Sequence, residues 1–117
     1  MKHPKDTQTI VTNYFSKNDN IQLVFLFGSI VAGHHSETSD IDLAILFQAE
    51  PDFYRLDDIK NALFRLVKRE IDIVILNDAS PIIKMQVLKN GIPLIRKGGA
   101  YEEFFTRTVE ELSLIHI

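Results

Sequence analysis

The chain of 117 residues contains no cysteine and no tryptophan. Without thiols it has no disulfide, no zinc–thiolate centre and no cysteine nucleophile. Long apolar runs are missing as well. None approaches the ~18 residues that a membrane-spanning helix needs. The basic start Met1-Lys2-His3-Pro4-Lys5 has no apolar stretch behind it, so no secretory leader is expected. A soluble, cytoplasmic protein is the expectation. A charge excess is also absent: 13 Lys and Arg face 16 Asp and Glu, for a net charge of -3. With no global basic field, a long nucleic acid is disfavoured as direct substrate. Repeats and low-complexity tracts are missing too. The composition, 45% hydrophobic and 25% charged, is that of an ordinary globular domain, which excludes general disorder. The length fits one domain. We place it at residues 1–113. The end, 114–117 (Leu114-Ile115-His116-Ile117), has no stop signal and no polar flank, and reads as a truncated or non-native tail.

The segments alternate between a helical period and a strand period, which marks an α/β layout. Asp6 to Lys17 predicts a helix with Ile10, Val11, Tyr14 and Phe15 on one face, capped by Asp6 or Thr7. Ile21 to Phe27 is nearly all apolar, as in a strand buried on both faces. Ile41 to Phe47 and Ile71 to Leu76 predict two more strands. Residues 55–69 predict an amphipathic helix, with Leu56, Ile59, Leu63, Leu66 and Val67 inside and Arg55, Lys68 and Arg69 mostly outside. Pro81 opens a helix that Gly91 stops. Ile92 to Ile95 predicts a fourth strand, at an edge because of Pro93. A last helix is expected from about Ala100 to Leu112.

The chemistry concentrates in one constellation. Gly28-Ser29 is followed by ten residues and then Asp40-Ile41-Asp42, and Asp72 opens the third strand. Side chains two apart on a strand share a face. Asp40 and Asp42 therefore point one way, while Ile41, Leu43 and Ile45 point into a core. Asp72 opposes Ile71, Ile73 and Ile75 in the same manner. If the second and third strands are neighbours in register, three carboxylates meet on one patch. Like charges so gathered need a compensating cation. Two Mg²⁺ ions, which take oxygen ligands together with substrate phosphates, are the natural choice. Gly28 lets backbone approach a ligand closely. A helical turn over Ser29 to Gly33 would offer amide and hydroxyl donors to phosphate.

At this point the chain resembles a known family. GSIVAGHHSETSDID is similar to the Gly-Ser, ten residues, Asp-x-Asp signature of the DNA-polymerase-β-like nucleotidyltransferases. The short length and the run IDIVILNDASPIIKMQVLKNGIPLI resemble the minimal nucleotidyltransferase (MNT) branch, and the likeness covers residues 8–112. It implies a mixed four-stranded sheet flanked by helices. It implies metal ligation by Asp40, Asp42 and Asp72, nucleotide binding at Gly28 and Ser29, and an active enzyme that uses ATP. Family members of this branch stand beside HEPN-domain RNase toxins. The resemblance therefore implies an antitoxin that transfers AMP to a tyrosine of its HEPN partner. One departure is clear: many relatives carry an arginine soon after the Gly-Ser, where this chain has Ile30-Val31-Ala32. Arg96, Lys97 or a partner residue are the candidate replacements.

Other features are weaker. His34, His35 and Glu37 read as a solvated loop rather than a metal site. Tyr101 reads as a helix-start aromatic packed on the core rather than a base-stacking group. Two further functions stay open. The chain could neutralise its partner by occlusion, with the helices at 55–69 and 100–112 as interface, or serve as half of a small-molecule or tRNA nucleotidyltransferase.

Overall fold

The computed structural model describes residues 4–28 and 40–115. The element order is α1 (Pro4–Phe15), β1 (Ile21–Phe27), β2 (Ile41–Phe47), α2 (Phe53–Val67), β3 (Ile71–Ile75), α3 (Pro81–Asn90), β4 (Ile92–Arg96) and α4 (Ala100–Ile115). The strands form one mixed sheet in the order β3-β2-β1-β4. β1 runs antiparallel to both β2 and β4, and β2 runs parallel to β3. Pro93 thus lies on an edge strand, as its missing N–H requires.

Both faces of the sheet are covered, which is why β1 shows no alternation of polarity. On one face Leu26, Leu43 and Ile45 pack with Val11 and Phe15 of α1 and Ile59 and Leu63 of α2. On the other, Leu23, Phe25, Ala44 and Leu76 pack with Val87 of α3 and Phe104 of α4. Each such side chain contributes about 1.5–3 kcal/mol when fully buried. Strand alternation sends Leu23 and Phe25 to one layer and Val24 and Leu26 to the other.

Local chemistry sets the helix ends. The Asp52 carboxylate accepts from Arg55 N–H at 2.8 Å, so α2 begins at Phe53, two residues before the boundary expected from its apolar stripe. Lys68 closes it in the left-handed region at φ 60°. Ser80 caps α3 by accepting from Ile83 N–H at 3.2 Å, with Pro81 in the first turn. Thr7, a cap candidate by sequence, is buried inside α1 instead. α4 continues to Ile115, past the end expected near Leu112. No helix among the described residues is long and apolar enough to cross a membrane.

Candidate active site

The topology brings three predicted residues to one end of the sheet. β1 ends at Phe27 and Gly28 follows; β2 and β3 both begin at that same end. Asp42 is the register partner of Phe27 on one side and of Asp72 on the other. The N–H of Ile41 donates to the carbonyl of Glu70 at 2.9 Å, which ties the start of β2 to that of β3. Asp42 and Asp72 therefore stand side by side on the face that carries Ala44 and Val74. Asp40 precedes β2 on the same alternation. Asp40 and Asp72 are exposed and Asp42 is half-buried.

The electrostatics register this gathering. The Asp42 carboxyl is raised above its ordinary value, first by burial, then by the charges of Asp72 and Asp40. Asp42 is within electrostatic reach of both neighbours. Among the described residues no trio of His, Asp or Glu side chains is already closed to the spacing of a metal cage. The donor set, all oxygen and all anionic, fits a hard divalent cation.

Gly28 is bound to this site by geometry. Its φ is +88°, a conformation side chains rarely adopt. A Cβ built there would run into the Asp42 carboxylate and stand 2.9 Å from its Cγ. The glycine thus makes room for the carboxylate itself. Sequence reasoning assigned Gly28 to ligand approach and did not foresee this second requirement. Ser29 lies outside the described residues, as do Gly33, His34, His35 and Glu37.

Two candidates to replace the missing arginine, Arg96 and Lys97, do not reach this end. Arg96 is paired with Leu23, near the start of β1, so Arg96 and Lys97 lie at the opposite end of the sheet from Gly28. There the Arg96 guanidinium sits 4.0 Å from the centre of the Tyr101 ring and 3.7 Å from Glu102. Lys97 donates to the Asn18 carbonyl at 2.6 Å. Tyr101 itself packs on Phe25 with ring centres 6.2 Å apart, as the core reading expects.

Phe27, half-buried beside Asp42, packs against the core. One residue at the aspartate end escaped the sequence reading. Arg69 was placed mostly on a solvated helix face. It follows the end of α2, three residues before Asp72, and is only 7% exposed. The αL turn at Lys68 is what redirects it, and no apolar periodicity signals such a turn. A cavity of about 860 Å³ lies elsewhere, at the other end of the sheet, between Gln48 and Asn77 on one side and Phe104 and Arg107 of α4 on the other. The aspartates do not line it.

Comparison with known proteins agrees with this geometry. The family described as "Polymerase beta, Nucleotidyltransferase" matches residues 9–98. The protein adenylyltransferase MntA of Shewanella oneidensis is 32% identical over 94 residues, covering 78% of this chain and 68% of MntA. A crystal structure of a toxin–antitoxin with AMP-PNP superposes with a TM-score of 0.80 at 26% identity, covering 92% of this chain and 88% of that one. A structure of the tri-AMPylated Shewanella oneidensis HEPN toxin in complex with MNT antitoxin superposes at 0.71 and 25% identity, covering 92% and 88%. With this sheet order and with residues 9–98 matched, the chain belongs to the polymerase-β nucleotidyltransferase family and has its fold.

Proposed function

We propose that the chain is a protein adenylyltransferase. It transfers AMP from ATP to a hydroxyl, a tyrosine, of a partner HEPN-domain RNase toxin, and acts in the cytoplasm as that toxin's antitoxin. The observation that carries this reading is the in-register pair Asp42 and Asp72, with Asp40 alongside and Gly28 making space for Asp42. The named relatives support the acceptor class.

Asp40, Asp42 and Asp72 would hold two Mg²⁺ ions. Such ions supply charge neutralisation and Lewis-acid polarisation of the phosphoryl group. Gly28 and Ser29 bind the triphosphate. The acceptor oxygen attacks the α-phosphorus in line; the bond from that phosphorus to the bridging oxygen breaks, and pyrophosphate leaves. Asp72, the exposed carboxylate on the neighbouring strand, accepts the hydroxyl proton. The rest of the catalysis is positioning and electrostatic stabilisation.

The test is to mix the purified chain with Mg²⁺, α-labelled ATP and the HEPN protein encoded beside it. Label on a toxin tyrosine, with loss of RNase activity, is expected. Full neutralisation by an Asp40→Asn/Asp42→Asn variant that transfers no label would establish occlusion instead. Label on a metabolite or an RNA would establish the half-enzyme.

A further inference from the structure

Helix α2 turns Ile59, Leu63 and Val67 into the core and leaves a full stripe uncovered. Tyr54, Asp58, Asn61, Arg65 and Lys68 follow one another at steps of four, three, four and three residues, and all are exposed. That spacing lines them along one exposed face of the helix. Charge along it is segregated. Asp57 and Asp58 lie in the first half, and Arg65 and Lys68 in the second. The segregation does not serve the chain itself: among the described residues, Asp58, Arg65 and Lys68 make no ion pair. Asp57 accepts only from the Asn61 amide, at 3.3 Å. At the acidic end Phe53 and Tyr54 are 76% and 79% exposed and pack edge to face on one another, ring centres 6.2 Å apart.

A stripe that is acidic in one half and basic in the other complements itself when two copies run antiparallel. A two-fold axis near Asn61 sets Asp57 and Asp58 of each copy toward Arg65 of the other. It sets the ring of Tyr54 toward the ammonium of Lys68, a cation–π pair. Parallel pairing would oppose acid to acid and base to base. We infer that α2 is the contact face of a symmetric, antiparallel homodimer. α2 lies on the sheet face opposite Asp42 and Asp72, so both candidate sites stay accessible, and the inference stands independently of AMP transfer. A single helix face buries less than the ~1,200 Å² typical of stable complexes. The dimer is therefore weak, and its polar seam makes it salt-sensitive.

Sedimentation equilibrium on the full chain tests this over a concentration series. At low salt the mass should move from 13.4 kDa toward twice that value. At about 1 M salt, where the screening length is ~3 Å, association should weaken about tenfold or more. Arg65→Glu should weaken it by about tenfold, since it opposes acid to acid at two equivalent places. The double variant Asp58→Arg/Arg65→Glu places an arginine opposite each new glutamate and should recover it in part. Circular dichroism verifies that each surface variant is folded. A wild-type chain that stays monomeric, a dimer indifferent to Arg65→Glu, or a double variant no better than the single one overturns the inference. So does an Arg65→Glu chain that self-associates normally but no longer captures the HEPN protein, because the face would then belong to that partner.

Discussion

Replacing Gly28 by alanine tests the link between the end of β1 and the candidate site. Two costs arise. A φ of +88° strains any side-chain-bearing residue, by about 1–3 kcal/mol. The new Cβ also meets the Asp42 carboxylate, whose Cγ stands 2.9 Å from it, tighter than ordinary van der Waals contact. Asp42 must therefore shift by roughly 1 Å or rotate away from Asp72. A shift of about 1 Å in a positioned group costs ~10²-fold in rate. Gly98→Ala is the matched control. It too has a positive φ, +53°, yet nothing lies within 4 Å of its Cβ. Both variants should lower the melting temperature by several degrees, at about 4 °C per kcal/mol for a domain of this size. Only Gly28→Ala should lose AMP transfer, by about 10²-fold. The two sites should also couple: in an Asp42→Ala background the carboxylate is gone and only the Cβ contact at 3.1 Å stays, so Gly28→Ala should cost about 1 kcal/mol less. Calorimetry on the four chains of the cycle and a labelled-AMP assay on the single variants decide the matter. Equal transfer by Gly28→Ala and Gly98→Ala, or strict additivity with Asp42→Ala, would refute the steric link.

Three other expectations follow from the same coordinates. Asp42 has a raised carboxyl pKa, so its protonated form is favoured in the fold. That stability is fully present below the unfolded value of 3.8 and is lost as pH rises through the higher folded value. In metal-free buffer at neutral pH, Asp42→Asn should therefore melt higher than wild type, and the gap should close in acid; a lower melting point across the range would contradict this. Mg²⁺ should reverse the order by stabilising wild type more than Asp42→Asn, by up to about 2.7 kcal/mol at a hundredfold excess over its dissociation constant; equal shifts in a thermal melt would count against Asp42 as a ligand. The Asn77 side chain accepts from Phe47 N–H at 3.0 Å and donates to its carbonyl at 2.8 Å, far from the aspartates. Asn77→Ala should cost about 1–3 kcal/mol in urea unfolding and leave AMP transfer unchanged.

The elements that the sequence placed well are those with strong local signals. The apolar run of β1, the alternation of β2, and Pro81 with Gly91 around α3 all act within a few residues. The start of α2 was missed because its first turn holds Phe53 and Tyr54, which are exposed and so fall off the buried stripe that defines the helix by pattern. The Asp52 cap was the signal available. Strand periodicity put Asp40, Asp42 and Asp72 on consistent faces, but their meeting depended on β2 and β3 being parallel neighbours. That pairing is formed between distant segments and is written in no local pattern. The same holds for Arg96 and Lys97. They were candidates for a phosphate contact, while antiparallel pairing of β4 with β1 carries them to the far end. The space that Gly28 leaves for Asp42 is a contact between strands and could only be seen in three dimensions.

The most direct measurement is the rate of AMP incorporation into the HEPN protein by wild type and by Asp42→Asn, each at saturating Mg²⁺ and ATP. Removing a charge that organises the transition state should reduce the rate by about 10²–10³-fold or more, with the substituted chain still folded and still bound to its acceptor. Undiminished incorporation by Asp42→Asn would show that the paired aspartates of β2 and β3 do not perform the transfer.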